Sequence, residues 1–290
     1  MPFSLLDSLD PHQERALQEL RSRLAAWPAV VVAYSGGVDS SLVAALAAEQ
    51  LGQRAVAMTG VSPALAPHLR REAAEQARWL GLRQQEIATA ELADPAYASN
   101  PSNRCYACKQ ELHRLLAPLA AAAGGAPVID GVNRDDLSDH RPGLRAAREW
   151  GVISPLAEVG LTKADVRRLS RALGLPWWDK PAQPCLASRF PYGEPITASR
   201  LQRVAAAEDW LRRQGFSELR VRSQGETARI ELAASELERA LVAMADGAQR
   251  QALVVAFAQL GFNAVGLDLE GLVSGKLNRD LAAAQPAGWP

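Results

Sequence analysis

Six consecutive residues, Ser35, Gly36, Gly37, Val38, Asp39 and Ser40, combine two glycines, two hydroxyls and a carboxylate. They lie between an apolar run at 29–34 and an apolar, alanine-rich stretch at 41–48. Strand, glycine turn, helix is the order in which backbone N–H groups can be aimed at a phosphate on a helix N-terminus. Glycines permit positive φ and let an anion approach the backbone closely. Ser35 and Ser40 add hydroxyl donors, and Asp39 suits Mg²⁺ on a pyrophosphate. A Walker loop would end in Gly-Lys-Ser/Thr, yet no lysine stands between Arg23 and Lys109. A plain glycine turn is the bland alternative.

The second chemically able set is Cys105, Cys108 and Cys185, the three cysteines of the chain. A Cys-x-x-Cys pair by itself fits a redox couple, half a zinc site or incidental thiols. Structural zinc takes four protein ligands, and His113 is the nearby candidate for a fourth. Three cysteines also suffice for a [4Fe–4S] cluster with one iron left open to a sulfide or a substrate atom. An odd count of three cannot all pair, so chemistry in a reducing compartment is expected over a disulfide frame.

The elements that must position these groups follow from periodicity and punctuation. Residues 11–26 read as an amphipathic helix, 29–34 as a strand, and the helix after Ser40 ends near Gly52. A second strand is expected over 54–60, a helix over 67–80 and a weak strand over 83–88. A polar loop over 94–104 delivers the Cys-x-x-Cys pair to a helix that runs from 110 to 123. A fourth strand follows at 127–131. Alternating strands and helices imply an α/β, Rossmann-like parallel sheet with helices on both faces. Ligands of such sheets sit at the carboxyl ends of the strands. That places the first loop, and the polar residues 133–143, at the ligand end, although 133–143 also reads as a solvated turn. Thr162 caps a helix to 173. A proline-rich linker at 176–193 carries Cys185. From there the pattern becomes a smaller α+β region: a helix from 197, strands at 219–223 and 228–232 turned around Gly225, and a capping box at Ser235-Glu236-Leu237-Glu238. A further helix ends at Gly261 and a last strand covers 265–269. The expected domains are 1–192 and 193–290, with a frayed tail at 285–290.

Composition narrows the partners. Lys+Arg and Asp+Glu are both 32 in 290 residues, which argues against a broad nucleic-acid footprint. Lys109, Lys163, Lys180 and Lys276 are the only lysines. No apolar run reaches a membrane span and residues 1–9 do not resemble a signal peptide, so a cytoplasmic protein is expected.

The loop resembles the SGGxDS signature of the N-type ATP pyrophosphatases, which cleave ATP between the α- and β-phosphates. In such folds the end of the second strand lies beside the adenine, which makes Thr59 the candidate there. A more specific resemblance rests on the loop together with Asp130-Gly131, Asn133, Asp135-Asp136, Arg141-Pro142-Gly143, Thr162-Lys163 and Asp179-Lys180-Pro181. It rests also on Cys185-Leu186-Ala187-Ser188-Arg189 and on Arg220-Val221-Arg222 followed by Ala228-Arg229-Ile230-Glu231. Together these resemble the LarE family, ATP-dependent sulfurtransferases of nickel-pincer cofactor synthesis, over residues 30–274. The resemblance implies that ATP adenylates a carboxylate of a pyridinium-3,5-dicarboxylate mononucleotide and that sulfur then replaces AMP. It implies Arg189, Arg220 and Arg222 as substrate-binding forks, which suit phosphates and carboxylates, and Glu208 and Glu231 as acidic neighbours. On a strand Arg220 and Arg222 share a face, and a solvated sheet face is the alternative for that pair. A homo-oligomer and a downstream nickel-inserting protein are also expected.

Family members with one cysteine at the Cys185 position sacrifice its sulfur. Those with three are thought to carry a [4Fe–4S] cluster, and Cys105, Cys108 and Cys185 fit that kind. Ser223-Gln224 stands where a histidine before the glycine is expected. An amidotransferase-type synthetase would share the loop without needing the cysteines. A tRNA thiolase would need a basic face, and a nucleotide-binding module would need neither Asp39 nor the thiols.

Overall fold

The computed structural model describes residues 3–138, 142–273 and 275–279. The expectations for Arg141, for the end of the family match at Ser274 and for the tail at 285–290 lie outside the described residues. The chain divides into two compact units. One holds residues up to Tyr97 and Ser102–Gln183, and the other Ala98–Pro101 and the chain from Pro184 on. The boundary expected after residue 192 therefore falls inside the second unit, and the Cys185 segment clusters with the C-terminal elements. Its local bonds explain this: Arg222 Nη1 donates to Ser188 O at 2.6 Å and Arg189 pairs with Glu208.

In the first unit, helix α1 (Pro11–Ala25) opens with a reciprocal capping box between Asp10 and Gln13. Strand β1 (Val30–Ala33) is buried at every position, as suits a central parallel strand covered on both faces. It is followed by α2 (Val38–Leu51), β2 (Ala55–Val61), α3 (Pro67–Trp79), β3 (Arg83–Ala88) and the short turn α4 (Pro95–Ala98). Then come α5 (Arg104–Ala122), β4 (Val128–Ile129), α6 (Pro142–Glu149), α7 (Pro155–Glu158) and α8 (Lys163–Ala172). The strands form a parallel sheet in the order β3-β2-β1-β4. Alanines 44, 45 and 47 of α2 are fully buried, so small side chains let this helix lie close on the sheet. The order reverses at β1, because β4 returns to its other side. That switch point is where a ligand crevice forms in such sheets, and the loops after β1 and β4 flank it.

The second unit holds α9 (Ala198–Arg213), β5 (Leu219–Gln224), β6 (Thr227–Leu232), α10 (Ala234–Ala245), α11 (Gly247–Gln259) and β7 (Ala264–Leu267). Strands β5 and β6 are antiparallel and β6 and β7 parallel. The capping box expected at Ser235 is not formed. Helix α10 begins two residues earlier than a cap at Ser235 implies, at Ala234 behind Ala233, with no side-chain cap. Glu236 accepts the amides of Ser217 and Glu218 at 2.9 and 3.1 Å.

Candidate active site

Helix α2 starts at Val38, with Gly37 as its N-cap. Asp39 and Ser40 therefore sit in its first turn, one turn further into the helix than a loop ending at Ser40 implies. Only one of the two glycines uses its freedom. Gly36 has φ +69°, and a Cβ there would meet Ala73 Cβ at 2.9 Å; Gly37 has φ −78°. Ser35 and Ser40 bond each other through their hydroxyls at 3.1 Å, and Ser40 Oγ also donates to Gly37 O at 3.1 Å. Gln76, buried on α3, holds the loop from behind. Its amide nitrogen donates to Gly36 O at 3.2 Å, and its oxygen accepts from Tyr34 OH at 3.1 Å and Ser41 Oγ at 2.7 Å. Burial pushes the Tyr34 phenol up to about 12, despite its bond to Ser41, so it stays a neutral donor. The cradle is formed before any anion arrives, which is the condition for binding without reorganisation.

The loop after β4 closes the other side. A Cβ on Gly131 would stand 2.5 Å from Ser40 N and 2.8 Å from the Asp39 carbonyl carbon, so the two backbones pass in direct contact. Asn133 is buried and donates to Asp39 Oδ1 at 3.1 Å. Its own Oδ1 accepts the amides of Asp135 and Asp136 at 3.0 and 3.3 Å. Lys163, the first residue of α8, places its ammonium on Asp39 Oδ2, while its backbone N–H donates to Asp135 at 2.9 Å. Lys180 donates to Gly36 O at 3.1 Å and pairs with Glu72 at 2.6 Å. The segment read as either a solvated turn or a ligand contact is thus tied to the carboxylate of the loop. Burial raises the Asp130 carboxyl above its usual range, against the pull of Lys109, Ser154 and the Val132 amide. Thr59 is buried on β2 and its hydroxyl accepts from Gln84 at 2.9 Å.

Asp39 offers a hard carboxylate at a helix N-terminus, a donor set that fits Mg²⁺ on a polyphosphate. Cys105 and Cys108 lie in the first turn of α5, exposed and half-buried respectively, and Cys185 is exposed in the second unit. Among the described residues no three His, Cys, Asp or Glu side chains are grouped to hold a metal ion. His113 is buried, and burial lowers it to about 4, helped by Lys109.

In the second unit the arginines foreseen for substrate fall into two states. Arg189 and Arg222 are each 4% exposed, and Glu208 and Glu231 are fully buried. Arg189 grips Glu208 through Nε and Nη2 at 2.7 and 3.2 Å, and Arg222 bonds Glu231 at 2.9 Å. Burial pushes the Glu208 carboxyl up, but Arg189, Arg212 and the Val221 amide carry it below the usual range. The two glutamates are therefore spent on holding arginines. Arg220, paired across the strands with Glu231 in register, is half-buried with no hydrogen bond or ion pair among the described residues. Burial and the neighbouring Arg189 and Arg222 lower it to about 10. A cavity of about 190 Å³ in this unit is lined by Arg189, Arg222, Arg229, Lys276 and Arg279. All but Arg189, which pairs with Glu208, are linked to carboxylates in one chain: Arg222–Glu231–Arg229–Asp268–Lys276–Glu270–Arg279.

Sequence reasoning left Gln76, Lys163 and Lys180 without roles. The one available signal was the scarcity of lysine, since two of the four lysines reach the loop.

The asparagine synthase family model matches residues 14–97, the stretch from α1 through β1, the loop and β3. The chain is 53% identical over 268 residues to an uncharacterized protein of Synechocystis sp., covering 92% of this chain and 98% of that one. It is 27% identical over 241 residues to an uncharacterized protein of Methanocaldococcus jannaschii, covering 83% and 89%. It is 39% identical over 259 residues to the pyridinium-3,5-bisthiocarboxylic acid mononucleotide synthase of Lactiplantibacillus plantarum, covering 89% of this chain and 92% of that one. A preformed glycine loop at the switch point of a parallel sheet, and identity of this extent across both units, lead to one assignment: the chain belongs to the LarE family of ATP-dependent sulfurtransferases.

Proposed function

We propose that this enzyme adenylates a carboxylate of a pyridinium-3,5-dicarboxylate mononucleotide and converts it to a thiocarboxylate, releasing AMP and pyrophosphate. Arg220 carries this reading. A half-buried guanidinium with no ion pair among the described residues, flanked by Arg189 and Arg222, is a poor element of stability and a good receptor for an anion. Its neighbours are fixed by Glu208 and Glu231, so the arginines meet the substrate in a set geometry and lose little entropy on binding.

In the first unit the cradle of Ser35, Gly36, Gly37, Val38, Asp39 and Ser40 takes the polyphosphate, and Thr59 lies beside the adenine. Mg²⁺, held by Asp39, supplies charge neutralisation to the leaving pyrophosphate. A substrate carboxylate oxygen forms a bond to Pα as the Pα–O bond to the β-phosphate breaks, giving an acyl-adenylate. The Cys185 thiolate then bonds to the acyl carbon and AMP leaves. Release of the thiocarboxylate breaks the Cys185 Cβ–Sγ bond, with loss of the α-proton, and leaves dehydroalanine. Exposure of Cys185, in the second unit with the arginines, supports its part.

A second reading puts a [4Fe–4S] cluster on Cys105, Cys108 and Cys185, bringing sulfide from outside. The pairing of Cys105 with Cys108 in one helical turn favours it. Either route fits a cytoplasmic homo-oligomer that feeds a nickel-inserting protein. The test is an assay of the products from ATP in the presence of the pyridinium dicarboxylate nucleotide. AMP and pyrophosphate are expected; ADP and orthophosphate, or equal turnover with tRNA or glutamine in its place, would refute the reading.

A further inference from the structure

The peptide unit between Gly36 and Gly37 is flanked by the two residues that resist backbone rotation least. A trans peptide carries its C=O and N–H on opposite sides. Turned one way, this unit offers the Gly37 N–H to an anion in the loop. Turned the other way, it offers the Gly36 oxygen and repels the anion. The Gly37 N–H itself is held only by a long bond to Ser35 Oγ at 3.4 Å, so the choice is made at the carbonyl.

Two side chains take that carbonyl. Gln76 Nε2 donates to Gly36 O at 3.2 Å and Lys180 Nζ donates to it at 3.1 Å. Gln76 is neutral and is shared with Tyr34 and Ser41. Lys180 brings a charge, and its other contact is Glu72 at 2.6 Å. We propose that Lys180 is a positioning residue that holds the Gly36–Gly37 peptide with its N–H turned toward the pyrophosphate and bars the flip that would put a carbonyl oxygen there. The inference rests on the reading that this loop takes the pyrophosphate of ATP.

Three observations carry it. First, the lysine is built into its place. Its N–H donates to Trp177 O at 3.1 Å and its carbonyl accepts from Arg167 Nη2 at 3.4 Å. Trp177 in turn packs edge-on against Trp79 of α3, with ring centroids 5.3 Å apart. Second, Glu72, Ala73 and Gln76 share one face of α3, and all three address Gly36. Glu72 does so through Lys180, Gln76 through its amide, and Ala73 by a packing so close that a Cβ on Gly36 would lie 2.9 Å from its own. Third, the ammonium is matched by the Glu72 carboxylate, so the pair brings no net charge to the loop. Its effect reaches the anion through the peptide: a cation on the C=O polarises the N–H at the other end and makes it a stronger donor. Lys180 itself binds no substrate atom and moves no proton.

The test is calorimetric titration of pyrophosphate and, separately, AMP into the wild type, Lys180→Met, Lys180→Arg and the double variant Lys180→Met/Glu72→Gln, together with a crystal structure of ligand-free Lys180→Met. The double variant removes one charge of each sign. Loss of a charge-assisted bond to the carbonyl shifts the peptide toward the flipped form and predicts pyrophosphate binding weakened about tenfold in both Met variants. AMP binding should be retained, which also reports that the variants are folded, and Lys180→Arg should recover part of the loss. The crystal structure should show the Gly36 oxygen turned into the loop or split between two orientations. Full recovery in the double variant would overturn the proposal, because the pair would then act by charge alone. A peptide that keeps its orientation in Lys180→Met while pyrophosphate binding falls would overturn it too, since the lysine would then act on the anion directly. Equal weakening of AMP would reduce Lys180 to a structural role and likewise overturn it. A wild type that binds AMP but not pyrophosphate would refute the underlying reading of the loop itself.

Discussion

Replacing Gly131 by alanine tests the whole arrangement at its tightest point. The new Cβ would lie 2.5 Å from Ser40 N and 2.8 Å from both the Asp39 carbonyl carbon and Ser40 Cα. All three are backbone atoms in the first turn of α2, so no side chain can rotate away. Ordinary contact begins at 3.4 Å, so the β4 loop and the helix start must part by about an ångström. Overpacking of this sort costs about 1–3 kcal/mol in stability. The functional effect is larger than that implies, because Asp39 and Ser40 are the displaced residues and a misplacement of about 1 Å can cost about a hundredfold in rate. Two neighbouring glycines calibrate the result. Gly36→Ala meets Ala73 Cβ at 2.9 Å and forces alanine to φ +69°, adding about 1–2 kcal/mol of backbone strain to the clash. Gly37→Ala meets only Ser35 Oγ at 3.4 Å with φ −78° and should leave the fold within about 0.5 kcal/mol of wild type. Denaturant melts and ATP-dependent AMP release on all three variants give the ranking. A Gly131→Ala enzyme with wild-type stability and turnover would show that the contact between the two loops is not what positions Asp39.

The arginines should separate by assay. Arg220→Ala breaks no ion pair among the described residues and should keep its melting point while weakening the mononucleotide by about 1.5–3 kcal/mol. Arg222→Ala leaves the buried Glu231 with only the part-exposed Arg229 and should cost about 1–3 kcal/mol of stability; equal melting losses in the two variants would contradict this division. For the sulfur, mass spectrometry after turnover should find a loss of about 34 Da at Cys185, with activity kept in a Cys105→Ala/Cys108→Ala double variant, if Cys185 donates its own atom. Iron and sulfide in anaerobic protein, with activity abolished in that variant, would select the cluster instead. His113 predicts an acid-sensitive first unit. Its folded pKa is lowered from 6.5 to about 4, so the unfolded chain takes the proton first. Stability is then intact above pH 6.5 and falls by up to about 3 kcal/mol as pH drops toward 4. His113→Leu should flatten that step in a pH series of urea melts, and a step that survives the substitution would assign it elsewhere.

Local pattern carried the first unit a long way. The fully apolar Val30–Ala33, the glycines after it and the alanines of α2 announce strand, turn and helix, and a strand read at 83–88 is found at Arg83–Ala88. The site was harder to read, because its geometry is made by distant residues. Asn133 and Lys163 meet Asp39 from 94 and 124 positions away, and Gln76 carries no motif at all. The same limit applies to Ser235, whose local signature lies inside a helix that already begins at Ala234. It applies to Glu208 and Glu231 as well: in sequence an acidic residue reads alike whether it is exposed or buried against an arginine, and these two are fully buried on Arg189 and Arg222.

The second unit borrows Ala98–Pro101 from the first half of the chain. Asn100, at φ +56°, donates to Pro191 O at 2.6 Å, Gly193 donates to Asn100 O at 2.9 Å, and Ile196 to Ala98 O at 2.7 Å. During synthesis this stretch leaves the ribosome long before its partners at 191–196 exist. It must wait unclamped, directly ahead of the turn that bears Cys105 and Cys108, until the second half of the chain appears. The final docking of that strap is therefore a late, long-range event, of the kind that slows folding through the loop it must close. A chain stalled or cut between the two halves would present its paired thiols beside an untethered segment.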